Sequence, residues 1–197
     1  MIRRAVDVLV SAFALALSAP VLALAALAIR LESAGPVVYR QRRAGLQGRD
    51  FDVLKLRTMV DGAEALGAGL AVDEDDPRIT RVGAFLRRTS IDELPNLVNV
   101  LRGDMSLIGP RPTLPAQVEQ YTERQRGRLA IRPGITGWAQ VNGRASLPWG
   151  ERIELDLYYI EHRSLALDLR ILRRTPAMVL GGSGLYKGHT GGWEGKL

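Results

Sequence analysis

The run Val8–Ile29, VLVSAFALALSAPVLALAALAI, holds 22 residues without a charge, and its reading decides the fold. A helix crosses a bilayer core with about 20 predominantly apolar residues, so length alone is compatible with a span. Yet Ser18-Ala19-Pro20 stands in the middle. Proline there removes a backbone donor and clashes with the preceding turn, which kinks or breaks a helix. Each half is then only about 15 Å long, roughly half the hydrocarbon thickness. Arg3 and Arg4 precede the run, and Arg30, Arg40, Arg42 and Arg43 follow it. Positive flanks favour the cytoplasmic side, and here both ends carry them. The expectation is a re-entrant helix-break-helix hairpin over residues 1–34 that enters and leaves the membrane on one face, with Ser18 and Pro20 at its bend. A straight kinked span and a cleaved signal peptide are the alternatives. A signal peptide would end its apolar core earlier than this run does.

Outward from that segment, Val37–Arg42 and Phe51–Arg57 flank a glycine-containing turn, which predicts a β-hairpin. Its second strand aims Val53, Lys55 and Arg57 to one side, so two cations would share a face. Asp61–Ala71 is alanine-rich and predicts a helix, and Asp73–Pro77 reads as an acidic, solvated turn. Leu94, Leu97, Val98 and Leu101 follow the i, i+3, i+4, i+7 spacing of a buried helical stripe. Gly109-Pro110-Arg111-Pro112 is too poor in backbone donors for a helix and reads as a rigid loop presenting one arginine. A polar helical stretch over 114–129 leads to a glycine-rich loop, 132–144, able to approach a ligand closely. Helices are expected over 149–159 and 165–180. On the second, Leu165, Leu169, Leu172 and Val179 form an apolar face opposite Arg170, Arg173 and Arg174, suited to a membrane surface or to core packing. The fold class is therefore mainly α with a small β-hairpin: a membrane hairpin at 1–34, a cytosolic domain with amphipathic interfacial helices at 35–180, and a flexible glycine-rich tail at 181–197.

Basic residues outnumber acidic ones 27 to 21, and only Lys55, Lys187 and Lys196 are lysines. Arginine-rich codon usage and a need for planar phosphate-binding forks both account for that bias. The charge alone is compatible with an anionic partner, whether nucleic acid, lipid headgroup or nucleotide. Aromatic residues make up only 6 %, which leaves no evident stacking platform for nucleic acid. The absence of cysteine removes disulfide and thiolate chemistry. His162 and His189 lie too far apart to suggest a zinc site.

TSIDELPNL, residues 89–97, places Asp92 and Glu93 together at the expected start of a helix. Ser90 and Glu93 have the spacing of a capping box, in which the pair would be structural. Against that reading, Arg81, Arg87 and Arg88 lie just upstream, more cation than a cap needs, and would hold Asp92 ionised. A helix N-terminus with arginines attracts phosphate, yet two carboxylates repel it unless a divalent metal intervenes; magnesium resolves the conflict. A domain tied to a bilayer also makes sense if one substrate is a lipid.

The chain resembles the small monotopic phosphoglycosyl transferases, bacterial sugar transferases that begin glycan assembly on a polyprenyl phosphate. The likeness rests on the broken hydrophobic hairpin, Lys55–Met59, Ser90–Leu94, Arg102–Pro112 and Arg132–Arg144, in that order along nearly the whole chain. It departs at the bend, where Ala19 stands between Ser18 and Pro20. The resemblance implies a UDP-sugar attacked by Asp92, release of UMP, and transfer of the resulting phosphosugar to polyprenyl (undecaprenyl) phosphate at the cytoplasmic face of the inner membrane. It implies Mg2+ held by Glu93 and Asp92, phosphate or substrate contacts from Arg43, Lys55, Arg87, Arg111 and Arg144, and a structural or functional place for Asp168. Exopolysaccharide or other glycoconjugate biosynthesis would be the setting, with no nucleic-acid partner. The alternative from another class is a non-catalytic basic protein of the membrane surface, which gives Asp92 no special part.

Overall fold

A computed structural model describes residues 2–66 and 76–181. The expected tail, most of the acidic turn and the far end of the expected 61–71 helix lie outside those residues. What is described of that helix is a single 3-10 turn, Ala63–Ala65.

Helix α1, Ile2–Glu32, contains Pro20 and keeps helical hydrogen bonding on both sides of it. Its alanines and leucines are strong helix formers, which offsets the proline. Pro20 leaves the carbonyl one turn earlier without its amide partner, and in that turn the Ser18 hydroxyl donates to the Leu15 carbonyl at 3.2 Å. The expected break is thus a proline within one continuous helix. Most of α1 is bare: Leu9, Phe13, Leu17 and Leu24 are each about two-thirds or more exposed. Among the described residues it is the one helix long and apolar enough to cross a membrane, by length and composition.

Both ends of α1 dock on the same globular domain. Near its start, Arg4 donates to the carbonyls of Val100 and Leu101, capping the end of α3 (Asn96–Arg102) with a cation where the helix dipole favours one. Asp7 accepts from the Ser106 hydroxyl at 2.8 Å and the Leu107 amide at 3.1 Å. Near its end, Ala25 and Ile29 pack on Leu56 and Leu86, and Glu32 accepts from the Arg81 and Val82 amides. That carboxylate satisfies the first amides of α2, Arg81–Thr89.

Strands β1 (Val38–Ala44) and β2 (Asp50–Leu56) form the expected antiparallel hairpin, with Tyr39 opposite Lys55 and Arg43 opposite Phe51. The shared cationic face does not form. Lys55 reaches Glu93, whereas Arg57, beyond the strand, is buried and donates to the carbonyls of Ser33 and Ala34 where the chain leaves α1. Asn99 of α3 clamps the other edge, accepting from the Leu54 amide and donating to the Asp52 carbonyl.

Two short strands had no signal in the sequence: β3 (Ser106–Ile108) and β4 (Gly134–Thr136) pair in parallel. The pairing needs backbones in close approach, since a Cβ on Gly134 would lie 2.1 Å from the Gly109 amide nitrogen. The 114–129 stretch breaks into α4 (Pro115–Glu119), α5 (Glu123–Arg126) and a 3-10 turn. The 132–144 loop holds β4 and the one-turn α6, Trp138–Val141. Helices α7 (Trp149–Glu161) and α8 (Leu165–Gly181) close the domain. On α8 the buried apolar residues among those described are Leu167 and Ile171, while Leu165, Leu169 and Leu172 stay exposed. That apolar face is not core packing.

Candidate active site

Asp92 and Glu93 lie in a 3-10 turn, Ile91–Glu93, between α2 and α3. Ser90 enters it in the left-handed region, φ 55°, ending α2. The capping box does not form: Ser90 makes no side-chain cap and its hydroxyl is buried with no partner among the described residues. Glu93 Oε1 instead accepts from Lys55 Nζ at 2.9 Å and from an Arg111 guanidinium nitrogen at 2.7 Å. Both cations reach it across long sequence separations, one from β2 and one from the Pro110–Pro112 loop.

These contacts separate the two acids electrostatically. Burial alone would raise Glu93, but the charges and hydrogen bonds of Arg111 and Lys55 outweigh it and hold the carboxyl well below its usual value. Asp92 is 8 % exposed and has no hydrogen-bonded cation. Burial pushes it up to about 6; Lys55, Arg87 and Arg111 pull the other way, and the Glu93 charge adds to the rise. The upstream arginines therefore do not set the state of Asp92, as the sequence suggested. Of the three, Arg87 reaches it, and burial prevails. Lys55 is pulled below its usual value by burial, against the attraction of Glu93.

A cleft opens beside Glu93, lined by Arg43, Lys55, Glu93, Asn96, Arg111 and Ile135 among others. Arg43 and Lys55 thus meet Arg111 and Glu93 as expected. Arg87 carries a buried, unpartnered Nη1. Arg144, at φ 53°, is lowered by burial and by Arg111, and is attracted by Glu93 and Asp92, which puts it on the same cluster. Asp168 is elsewhere: it pairs with Arg3 and accepts from the Tyr159 hydroxyl at 2.8 Å, tying α8 to α1.

The sequence reading missed the support behind Arg111. Arg128 is buried and donates to Asp156 at 2.7 Å, to the Tyr121 hydroxyl at 2.6 Å and to the Arg111 carbonyl at 3.0 Å. A guanidinium with three partners is fully used, and it fixes the loop that presents Arg111. The available signal was Asp156 itself, an acid within the apolar stripe Ile153, Leu157, Ile160 of α7, where a carboxylate needs a buried cation.

A divalent cation fits the donor set. The described residues contain no group of three or more candidate ligands, but magnesium is commonly held by one or two carboxylates with phosphate oxygens completing its shell. Among the described residues the Asp92 carboxylate has no hydrogen-bond partner, and Glu93 takes both cations on one oxygen, so each retains an oxygen for a metal.

Two adjacent carboxylates of unequal acidity at a cationic cleft, on a domain with a helix long and apolar enough to cross a membrane, suit an enzyme of phosphate chemistry. The chain belongs to the bacterial sugar transferase family, whose model matches residues 1–182. An uncharacterized sugar transferase, EpsL, of Bacillus subtilis is 41 % identical over 187 residues, covering 95 % of this chain and 91 % of that protein. A UDP-glucose:undecaprenyl-phosphate glucose-1-phosphate transferase of Caulobacter vibrioides is 49 % identical, over 90 % of this chain and 69 % of that one. In Aeromonas hydrophila, a UDP-N-acetylgalactosamine-undecaprenyl-phosphate N-acetylgalactosaminephosphotransferase is 44 % identical, over 93 % of this chain but only 44 % of its own length. The chain is accordingly a sugar-phosphate transferase, and the non-catalytic alternative is set aside.

Proposed function

We propose that this enzyme transfers a sugar 1-phosphate from a UDP-sugar to undecaprenyl phosphate in two steps. An Asp92 carboxylate oxygen attacks the sugar-proximal phosphorus, the bond to the bridging oxygen breaks, and UMP leaves with that electron pair. The lipid phosphate then attacks the aspartyl phosphosugar, giving polyprenyl diphosphosugar and regenerating the carboxylate. Splitting one transfer in two is what a carboxylate nucleophile achieves. The observation that carries this reading is Asp92 itself, buried beside a cationic cleft with no ion-pair partner of its own, while the adjacent Glu93 is held by two.

Glu93 keeps Lys55 and Arg111 in place at the cleft, and these cations meet phosphate oxygens as the substrate enters. Arg43, Arg87 and Arg144 add positive charge around the same space. Asp92 and Glu93 would hold magnesium, which when bound would neutralise charge on the diphosphate. The resulting ionised Asp92 is poorly solvated and correspondingly reactive.

The membrane arrangement belongs to the same proposal. Docking of both α1 ends on one domain supports a re-entrant course at Pro20, with the exposed apolar faces of α1 and α8 in the cytoplasmic leaflet of the inner membrane. The site then lies at the depth of a lipid phosphate. Asp92→Asn is expected to abolish magnesium-dependent UMP release while the protein still folds and binds membrane; release at the wild-type rate would remove the nucleophile assignment.

A further inference from the structure

Asn96 and Asn99 stand one turn apart on α3, and both are buried, at 3 % and 0 % exposed. Asn99 uses both ends of its amide, accepting from the Leu54 amide and donating to the Asp52 carbonyl. Asn96 does not: its Oδ1 is buried without a hydrogen-bond partner among the described residues. An acceptor left unmade in the interior costs stability, and such a group in a folded protein calls for an explanation. Asn96 also lines the cleft beside Glu93, so a molecule entering that cleft can supply the missing donor.

Local periodicity puts the amide there. The backbone is helical from Ile91 to Arg102, the Ile91–Glu93 turn running through Leu94 and Pro95 into α3. Glu93 and Asn96, three residues apart, therefore share a face. The rest of the cleft is mainly of two kinds. Arg43, Lys55 and Arg111 bring positive charge, and Val53, Met105 and Ile135 belong to one apolar cluster. Among the described lining residues Asn96 is the one uncharged polar side chain. Cations suit phosphate oxygens, apolar side chains suit the C–H face of a ring, and a single placed amide fixes orientation. A phosphate oxygen only accepts and a metal ion takes only lone pairs, whereas a hydroxyl can donate to Oδ1 and accept from Nδ2.

We propose that Asn96 is a specificity-determining residue, whose buried carboxamide exchanges hydrogen bonds with a hydroxyl of the transferred sugar. This rests on the reading of Asp92 as nucleophile and deepens it. The cleft adjoins the residue next to Asp92, and the group joined directly to the phosphorus under attack is the sugar. The nucleoside lies one phosphate further away. Sugars that differ in the presence or direction of one hydroxyl then differ in whether the Asn96 amide is satisfied, and a site built around a buried hydrogen bond rejects the analogue that lacks it.

The test measures binding rather than turnover. The full chain carrying Asp92→Asn, with and without Asn96→Leu, is titrated in magnesium buffer with UMP, UDP-glucose, UDP-galactose and their two N-acetylhexosamine counterparts, and the Tm of each ligand-free protein is recorded. Leucine of similar size removes the orphaned acceptor, so Tm should stay or rise. Affinity for the best-bound UDP-sugar should fall about tenfold or more, the spread among the four should narrow, and UMP affinity should stay within about twofold. An unchanged spread overturns the assignment. So does an equal loss for UMP and the sugars, which would place the contact on the nucleotide, and so does weaker magnesium binding with the sugar spread intact. If the leucine variant unfolds, Asn96→Gln decides: it keeps the amide but moves it, so an altered spread at unchanged UMP affinity supports the assignment and a wild-type spread overturns it. UMP release by the protein with Asp92 intact tests the nucleophile separately, and failure of every UDP-sugar to bind would remove the substrate class and this contact together.

Discussion

Asp92 is the residue on which the chemistry turns, and its environment makes a two-sided prediction. With its carboxyl raised to about 6 by burial, the folded state binds a proton that the unfolded chain, at about 4, does not. Its stabilising contribution is full below about pH 4 and is lost as pH rises through 6. Asp92→Asn should therefore stabilise the protein at pH 8, by about 3 kcal/mol, with the gain vanishing near pH 4 in urea titrations. Wild-type activity should climb with pH as the nucleophile ionises, through a limb that magnesium held beside the carboxylate lowers from the metal-free value of about 6. A stability change of the same size at both pH values would contradict the burial argument. Asp92, Glu93, Lys55 and Arg111 were legible because they sit in short local patterns. Arg128 with Asp156 was not, since two residues 28 apart become a pair only when α7 packs beneath the Arg111 loop. Arg128→Met should accordingly leave Asp156 buried and unpaired and cost about 3 kcal/mol or more, read as the shift in denaturant midpoint.

Elements carry the site by a few specific joints. Asn99 bonds both the Leu54 amide and the Asp52 carbonyl, which fixes α3, and the Asp92 turn before it, against the strand that bears Lys55. Asn99→Ala strands both backbone groups in the core and should cost about 2 kcal/mol or more, with a fall in activity larger than the loss of folded protein explains. Activity that simply tracked the folded fraction would mean the joint does not position the site. The long helices and the β1–β2 hairpin were legible from periodicity over many residues. Strands β3 and β4 are three residues each and lie where glycine and proline suggested loop. Their pairing depends on backbone approach at Gly109 and Gly134, which leaves no hydrophobic alternation to read. The capping-box spacing misled for a related reason: a local pattern was outcompeted by two cations arriving from distant segments.

At the scale of the molecule, α1 joins a bare apolar surface to a domain that grips both its ends. Single cysteines introduced at residue 3 and at exposed Arg124 should both be labelled from the cytoplasmic side in oriented vesicles; labelling from opposite sides would establish a straight span. Arg4 and Asp7 hold the start of α1 to α3 and β3, and the polar start and end of the apolar run announced that both flanks stay with the domain, though not which groups they would meet. The enzyme account predicts one further state of the whole protein. Incubated with a UDP-sugar and magnesium but no lipid acceptor, the full chain should release UMP in a burst stoichiometric with enzyme and acquire the mass of a phosphosugar, mapped by peptide mass spectrometry to Asp92 and discharged by undecaprenyl phosphate. Wild-type protein that turns over with both substrates, yet shows neither burst nor adduct without the lipid, would contradict the covalent route.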